Sequence, residues 1–253
     1  KHLAFFRAGA VHRERCFMAG NRVGKTISGA YESALHLTGR YPDWWDGRAF
    51  DKPINAWAAG KTLETTRDIV QLELYGQAGQ PGTGMIPADC IIKARSRPNT
   101  NGALDFVEVR HVSGGISRLG FKSYEQGRKA FQGTEKHLVW LDEESSEGIR
   151  AECVMRLMTT NGLLIETFTP LRGLTPIVLK YLGDGAEVPD NRLSVNGDRA
   201  MVMAGWDDVP HLSAEQKARM LADTETHLIE ARSKGIPSIG SGAIYPVAED
   251  QIV

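Results

Sequence analysis

Hydrophobic residues recur along this chain with two different periods, which indicates strands interleaved with helices. Short apolar runs predict buried strands at residues 16–18, 54–59, 138–141 and 163–168. Apolar residues spaced three or four positions apart predict helices, and the clearest of these segments are 63–75, 149–158, 175–182, 214–221 and 225–233. A further helix is predicted between the first apolar run and Gly39, because its apolar residues also have helical spacing.

Residues typical of helix ends support these assignments. Gly39 follows the last apolar residue of the first predicted helix and predicts its end. Thr175 followed by Pro176 has the form of a cap with proline in the first helical position. Ser213 and Gln216 have the spacing of a capping box, so a helix is expected to begin between them.

The middle of the chain has a different pattern. A loop rich in glycine and proline, residues 76–87, is followed by β-like runs at 91–94, 106–112 and 116–121. Asn-Gly and Gly-Gly pairs between these runs are turn signals, so the runs predict a hairpin insertion or a sheet edge. Because the other strands alternate with helices, we expect an α/β fold with a mainly parallel sheet and helices on both faces. Residues 201–204 predict one more strand.

Composition narrows the class of protein without naming a function. The chain has 253 residues, enough for one large α/β core, and its formal net charge of −1 argues against a global basic surface for nucleic acid. Its three cysteines lie far apart, so we predict neither a disulfide framework nor a zinc site, which fits a reducing cytosol. No apolar run approaches the length of a membrane span, and no signal peptide opens the chain.

A candidate phosphate-binding loop lies between the first apolar run and the helix after it. Its residues are Ala19, Gly20, Asn21, Arg22, Val23, Gly24, Lys25 and Thr26. In such a P-loop, backbone N–H groups surround the phosphates, a lysine reaches their oxygens and a hydroxyl ligates Mg²⁺, the roles that Lys25 and Thr26 would fill. Ala19 occupies a position where the consensus has glycine. The alternative is a glycine-containing turn with a surface lysine, which the order strand, loop, helix disfavours.

An acidic strand end provides the partner that a P-loop hydrolase needs. The apolar residues 138–141 are followed by Asp142, Glu143 and Glu144. Asp142 is the candidate for the coordination shell of Mg²⁺, and Glu143 the candidate to polarise the attacking water. Glu144 lies farther from the strand end and is the weaker candidate. Taken alone, the segment would instead be interpreted as a solvated acidic turn.

These segments together resemble the ATPase domain of the large terminase subunit of tailed bacteriophages, the motor that packages DNA into the prohead. The resemblance covers most of the chain. It rests on residues 19–26, on 139–143 and on 167–170, and further support comes from 36–45, 123–133 and 239–245. It implies a P-loop NTPase fold of the RecA-like type that uses ATP and Mg²⁺. It also implies double-stranded DNA, a portal protein and a small terminase subunit as partners, a homo-oligomeric ring, and the host cytoplasm as location.

The resemblance also assigns roles to several side chains. Thr167 and Thr169 would belong to the coupling motif between nucleotide and DNA, although a threonine-rich strand end before a proline turn explains them equally well. Arg22 would contact the γ-phosphate within its own subunit. Arg128 is the candidate for an arginine finger that acts on the neighbouring subunit, because it precedes the acidic strand. A solvated surface arginine is the simpler interpretation, and the competing candidates are Arg118, Arg150 and Arg172.

Aromatic residues near the loop have two interpretations. Phe5 and Phe6 lie upstream of the loop, where terminases place residues that contact adenine, yet core packing is the simpler expectation. Trp44 and Trp45, together with Tyr41, could stack on adenine, but packing over the helix after the loop is favoured. The pair Asp207 and Asp208 is interpreted as a turn before a helix, because no further metal ligands have suitable spacing.

The domain organisation follows from the same segments. Residues 1–234 are expected to form the ATPase domain, and 235–253 a Gly/Ser/Pro linker towards a nuclease domain that this chain lacks. We therefore expect no DNA cleavage by this chain. Three other functions stay open: a helicase-like ATPase acting on nucleic acid, a P-loop kinase for a small molecule, and a nucleotide-binding scaffold without hydrolysis.

Overall fold

The computed structural model describes residues 1–77, 79–98, 100–183 and 193–237. Its helices are α1 (His2–Ala8), α2 (Lys25–Thr38), α3 (Leu63–Thr65), α4 (Leu72–Tyr75), α5 (Glu147–Leu157), α6 (Pro176–Leu182), α7 (Ala214–Ala222) and α8 (Ile229–Lys234). Its strands are β1 (Glu14–Ala19), β2 (Asn55–Gly60), β3 (Ile91–Ser96), β4 (Leu104–Arg110), β5 (Ile116–Ser123), β6 (Leu138–Asp142), β7 (Leu163–Phe168), β8 (Leu193–Asn196) and β9 (Arg199–Ala204).

Within the described residues, these strands form a nine-stranded sheet in the order β3-β4-β5-β2-β6-β7-β1-β9-β8. Every pair from β5 to β9 in that order is parallel, and the pairs β3–β4, β4–β5 and β8–β9 are antiparallel. The carboxyl ends of the parallel strands therefore meet along one edge of the sheet, where open α/β sheets bind their ligands. The predicted α/β class with a mainly parallel sheet is confirmed, and the three β-like runs form its antiparallel edge.

Helices cover both faces of the parallel part of the sheet. On one face α1 and α2 pack over a large apolar core that includes Phe5, Leu37 and Trp140. On the other face α5 covers β6 and its neighbours, and α6 covers β1 and β9. Two helical turns of a different geometry modify the predicted elements. The predicted helix 63–75 contains a π-helical segment (Thr66–Gln71) between α3 and α4, and 225–233 divides into a 3₁₀ turn (Thr226–Leu228) and α8.

A glycine ends helix α2 sharply. Gly39 follows α2 with a φ of +70° and donates its N–H to the carbonyl oxygen of Leu35, which confirms the predicted stop. Both predicted helix caps are also present, because Thr175 accepts a hydrogen bond from Val178 N and Ser213 accepts one from Gln216 N. Most of the predicted linker, including the family segment 239–245, lies outside the described residues.

Candidate active site

The predicted phosphate loop connects β1 to α2 at the carboxyl edge of the sheet. Gly24 has a φ of +86° and Arg22 a φ of +61°, so the chain turns sharply before the helix begins at Lys25. The Lys25 side chain is almost buried, and its ammonium donates to the carbonyl oxygen of Gly20 at 2.7 Å. Burial lowers the pKa of Lys25, while Glu143 and Asp142 act to raise it. The Lys25 side chain thus lies across the loop, where its ammonium would also reach a bound phosphate.

Residues far along the chain hold the loop from behind. The N–H of Asn21 donates to the carbonyl oxygen of Arg232 at 2.7 Å, and the indole N–H of Trp206 donates to the carbonyl oxygen of Asn21 at 2.9 Å. A side chain at Gly20 would place its Cβ 2.6 Å from the carbonyl oxygen of Arg232. The loop and the end of α8 therefore fit together only with glycine at this position. No pattern in the sequence indicates this support, because the contacts join residues about two hundred positions apart.

Asp142 lies at the end of β6 beside the first turn of α2. Its Oδ1 accepts a hydrogen bond from the hydroxyl of Thr167 at 2.7 Å and lies 3.1 Å from the hydroxyl of Thr26. The indole N–H of Trp140 donates to the Thr167 hydroxyl at 2.7 Å, which fixes the direction of that hydroxyl. Burial raises the pKa of Asp142 to about 7, and Glu143 adds to the rise. The hydroxyls of Thr167 and Thr26 and the ammonium of Lys25 act to lower this pKa, but the effect of burial is larger.

Glu143 follows Asp142 with a left-handed backbone, φ +67°, which is uncommon outside glycine. Its N–H donates to the carbonyl oxygen of Thr167 at 2.9 Å, and the hydroxyl of Tyr124 lies 2.8 Å from the carbonyl oxygens of both Asp142 and Glu143. The residue is exposed at the surface. Its carboxyl nevertheless loses part of its hydration to the surrounding protein, which raises its pKa, while Lys25 and Lys61 act to lower the pKa. The strained turn directs the chain away from the strand direction at this residue.

Thr167 and Thr169 contact the two halves of the site. Thr167 binds Asp142, as described, and Thr169 donates its hydroxyl to the carbonyl oxygen of Ala19 at 2.8 Å. The Thr169 hydroxyl also lies 3.1 Å from the amide oxygen of Asn21. The end of β7 therefore links the acidic strand to the phosphate loop through two buried hydroxyls.

Glu144 takes a different position from its two acidic neighbours. Its Oε1 accepts a hydrogen bond from the hydroxyl of Thr175 at 2.6 Å, and Arg172 lies 3.9 Å away. The side chain is 5% exposed, and its Oε2 has no hydrogen-bond partner in the described part of the chain. Because Thr175 also caps α6, Glu144 ties the acidic strand end to that helix.

A cleft of about 870 Å³ opens beside the phosphate loop. Its lining includes Arg22, Lys25 and Thr26 of the loop region. Ile69 of the helical segment 63–75 and Met220 of α7 also line it. The volume is within the range of pockets that hold small ligands. The contribution of α7 was not predicted, because nothing in its sequence distinguishes it from an ordinary amphipathic surface helix.

The predicted arginines occupy different surroundings. Arg128 donates from its Nε and Nη2 atoms to Glu152 at 2.8 and 2.6 Å, with 63% of its side chain exposed. Arg150 is buried and forms ion pairs with Glu166 and Glu14, so its guanidinium is held inside the fold in this structure. The remaining competitors lie elsewhere: Arg118 on the β5 surface and Arg172 near Glu144.

The aromatic candidates are mainly packing residues. Phe5 is fully buried and stacks on Phe17 with 5.2 Å between ring centroids, and Phe6 is 7% exposed, so neither ring is available to a base in this structure. Trp45 packs against Phe6, whereas Trp44 is 46% exposed and stacks on Tyr31. The favoured interpretation of these residues, packing over the helix, matches these contacts.

The donor set fits a magnesium ion that is completed by a bound nucleotide. In the part of the chain that the structure describes, no cluster of three or more histidine, cysteine, aspartate or glutamate side chains could hold a metal by itself. Asp142 and the Thr26 hydroxyl nevertheless lie together, and Asp142 is a buried carboxyl with a raised pKa. Mg²⁺ bound to phosphates takes only one or two protein carboxylates. Asp207 and Asp208 lie in a 3₁₀ turn before α7, as expected.

Known proteins resemble this chain in sequence. The sequence profile of the family described as "Terminase large subunit, T4likevirus-type, N-terminal" matches residues 16–252. The large terminase subunit of Salmonella phage P22 is 36% identical over an alignment of 272 positions, which covers 100% of this chain and 52% of that protein. The large terminase subunit of Enterobacteria phage LP7 is 33% identical over 104 positions, or 41% of this chain and 20% of that protein.

Solved structures share the fold. The large terminase of a thermophilic bacteriophage matches with a TM-score of 0.64 and 15% identity over 94% of this chain and 51% of that one. Its complex with ADP matches equally well over 93% of this chain. This chain thus spans about half the length of the large terminase subunit of phage P22. No helix of the described residues is both long and apolar enough to cross a membrane.

Proposed function

Since this chain belongs to the large terminase family, in its T4likevirus-type N-terminal part, we propose that it hydrolyses ATP to move double-stranded viral DNA into a prohead. One observation carries the proposal. Lys25 and Thr26 of the phosphate loop lie at the same sheet edge as Asp142 and Glu143, and the Thr26 hydroxyl reaches Asp142. A sheet edge with a lysine, a hydroxyl and two acids has the groups that phosphoryl transfer to water requires.

The loop would hold the phosphates of ATP. The N–H groups of Gly20 and Asn21 donate to backbone carbonyl oxygens, so the amides that would face the phosphates are those of the later loop residues, where the helix N-terminus favours negative charge. The proposed binding residues span the whole loop. These residues are Gly20, Asn21, Arg22, Val23, Gly24, Lys25 and Thr26. The Lys25 ammonium would exchange its bond with the Gly20 carbonyl oxygen for a phosphate oxygen. Arg22 lines the adjacent cleft, from which it would add a second positive charge to the γ-phosphate.

Thr26 and Asp142 would hold Mg²⁺ together with the phosphates. When bound, the ion neutralises charge on the phosphates and orients them for in-line attack. The hydrogen bond from the Thr167 hydroxyl favours the ionised form of Asp142, which is the form that would bind the metal. Asp142 would thus alternate between a protonated buried acid and a charged ligand.

Glu143 would act on the attacking water. Its carboxylate accepts the proton as the water oxygen bonds to the γ-phosphorus and the bond to the ADP oxygen breaks. The raised pKa of the carboxyl makes it a better proton acceptor than a free glutamate. The hydroxyl of Tyr124 and the carbonyl oxygen of Thr167 hold the backbone that presents this side chain.

Thr167 and Thr169 would couple the chemistry to movement. Thr167 binds the metal-site carboxyl and Thr169 binds the loop, so a change at either position reaches the end of β7. The chain then continues through Arg172 to α6, which Glu144 contacts at its cap. A motor driven by hydrolysis needs such a connection between the nucleotide site and the rest of the domain.

Arg128 remains the candidate finger for a neighbouring subunit. Its guanidinium is largely exposed and pairs with Glu152, which would have to release one donor on assembly. A mixing experiment tests it. Arg128→Ala and Lys25→Ala proteins should each be nearly inactive, and a mixture should regain part of the turnover. Activity returns at the interfaces where the Arg128→Ala subunit supplies the loop and the Lys25→Ala subunit supplies the finger. A mixture that stays inactive contradicts action between subunits.

The remaining partners follow from the family. We propose that copies of this chain form a ring on the portal protein, receive DNA through the small terminase subunit, and act in the host cytoplasm. Steady-state phosphate release, measured with Mg·ATP at several protein concentrations and with or without duplex DNA, tests the function. Turnover per subunit should rise with concentration, respond to DNA and disappear in Lys25→Ala. Turnover that persists in Lys25→Ala, or transfer of phosphate to an added small molecule, contradicts the proposal.

A further inference from the structure

One face of the antiparallel sheet edge carries a concentration of positive charge. In the strand register, Lys93 lies opposite Glu108 and Arg95 opposite Phe106, while Glu108 also lies opposite Arg118. Paired residues share a face, and alternate residues of β5 are buried on the other side, under the main core. We define the basic face as the side of β3, β4 and β5 opposite the main core, together with Lys136, which precedes β6 and adjoins that side. Its cations are Lys93, Arg95, Arg118, Lys122 and Lys136.

The cations of the basic face lie over two aromatic rings. The guanidinium of Arg118 lies 3.8 Å from the ring centroid of Phe106, and the ammonium groups of Lys122 and Lys136 lie 5.3 and 4.6 Å from the ring of Trp57. Both rings are nearly buried, with Phe106 6% and Trp57 7% exposed. Cation–π contact therefore positions the charges. It also leaves no ring free to stack on a nucleic-acid base.

Most cations of the basic face have no acidic partner. Within the described residues, Lys93, Arg95, Arg118 and Lys122 make no ion pair within 4.0 Å, although most other arginines of this chain do. Lys136 donates to the hydroxyl of Thr134 and to a backbone carbonyl oxygen.

The cations also act on one another. Burial and the neighbouring charges of Lys122 and Arg118 together lower the pKa of Lys136 to about 8. Three acids lie near them, namely Glu108 in the strand register, Asp105 near Lys122 and Glu135 near Lys136. Within the described residues none of the three forms an ion pair with these cations. Crowded like charges without partners are unfavourable in the free protein, and an anion bound across them would relieve the repulsion.

We propose that the basic face binds the phosphate backbone of double-stranded DNA. The chain as a whole has a net charge of −1, so attraction to DNA must come from a local surface. The fixed guanidinium of Arg118 and the ammonium of Lys122 suit phosphate oxygens, and the covered rings exclude base stacking. Binding without base readout is what movement along any sequence requires. The inference rests on the proposed function, and it names the surface through which this chain would contact its DNA.

Fluorescence anisotropy of a labelled 30-base-pair duplex at several salt concentrations tests the basic face. Arg118→Glu should weaken binding at least tenfold at low salt, and Arg118→Gln should reduce the slope of log K against log salt by about 1, as expected for one lost phosphate contact. Arg118→Lys, which keeps the charge, should bind within a few-fold of wild type. Arg7→Glu is the matched control, because Arg7 is exposed and lies on α1, which packs near β1 and β9 rather than β5. A duplex of different sequence should bind with the same affinity.

Basal ATP turnover, measured in the same proteins, separates this inference from the proposed function. Lys93→Glu reverses a charge of the basic face on β3, at the outer end of the sheet, and should hydrolyse ATP at the wild-type rate without DNA while it weakens DNA binding. If the protein binds DNA through Arg118 but shows no turnover that depends on Lys25, the proposed function is refuted. The inference that the basic face binds DNA is then still supported.

Two results would overturn the inference about the basic face. Equal loss of affinity in Arg118→Glu and Arg7→Glu would do so, since net charge alone would explain it. Unchanged DNA affinity in Arg118→Glu with loss of self-association, followed by sedimentation velocity, would also overturn it and assign the face to a contact between subunits.

Discussion

Replacing Asp142 by asparagine should stabilise the folded chain at neutral and alkaline pH while it removes a proposed metal ligand. Asp142 is 4% exposed, and burial raises the pKa of its carboxyl from 3.8 to about 7. An asparagine oxygen can still accept the hydrogen bond from Thr167, and its amide can donate to the hydroxyl of Thr26. The variant therefore keeps the local hydrogen bonds and loses only the charge.

The magnitude follows from linkage. Between about pH 4 and 7 the folded chain keeps a proton at Asp142 that the unfolded chain has released. The contribution of Asp142 to wild-type stability therefore falls as the pH rises through this range and is constant above it. At about 1.36 kcal/mol per pH unit, the full rise in pKa corresponds to about 4 kcal/mol of unfolding free energy. The amide that replaces the carboxyl cannot ionise, so the advantage of the variant should grow across the same range and reach its maximum above about pH 7.

Urea unfolding at pH 5, 6, 7 and 8, without nucleotide and with a chelator, measures this effect. Asp198→Asn is the control, because Asp198 is exposed and its hydrogen bond to Arg13 lowers the pKa of its carboxyl. Its substitution should therefore give a small effect of opposite sign. A pH-independent difference between Asp142→Asn and wild type, or a variant less stable at pH 8, would refute the reasoning. Added Mg·ATP should stabilise wild type but not Asp142→Asn.

Three further substitutions test other contacts. Thr167→Val leaves a buried indole N–H without an acceptor, so unfolding free energy should fall by about 1–3 kcal/mol, and the pH midpoint of Mg·ATP binding, measured by calorimetry, should rise. Tyr124→Phe removes the hydroxyl that holds the acidic turn and should lower turnover more than ATP affinity in steady-state assays. Gly20→Ala should weaken ATP binding and lower the melting temperature, because its Cβ meets backbone atoms. Gly148→Ala on α5 is the control, because its Cβ would meet only the Arg128 side chain at 3.6 Å, and equal effects of the two would contradict the packing argument.

Local signals in the sequence were sufficient for the elements that carry the site. Gly24, Lys25 and Thr26 follow an apolar strand, and the acids end another one, so both the loop and its acidic partner could be placed before any contact was known. Parallel strands bring their carboxyl ends to one edge whatever lies between them. The meeting of Thr26 with Asp142 was therefore predictable, although its distance was not.

Contacts made by distant residues were not predictable. Trp206 and Arg232 support the loop through backbone atoms, and such contacts leave no spacing pattern in the sequence. Ile27 and Ile69 have the helical spacing of apolar helix faces, yet they are 50% and 43% exposed. Both line the cleft beside the loop, so their exposure marks a surface that a periodicity argument would place in the core.

The short helix α1 also escaped prediction. It has seven residues, too few to show a clear period, and its buried rings Phe5 and Phe6 are held by tertiary packing. The role of Arg128 depends on a neighbouring subunit, so it stays a prediction that neither the sequence nor a single chain tests.

Turnover and ATP binding of the Glu143→Gln protein test the central claim most directly. The substitution removes the proposed proton acceptor and keeps the size of the side chain. Calorimetry should give an ATP affinity within a few-fold of wild type, while phosphate release at saturating Mg·ATP should fall by about 10²-fold or more. Equal phosphate release by Glu143→Gln and wild type would contradict the assignment of this site as an ATP-hydrolysing motor centre.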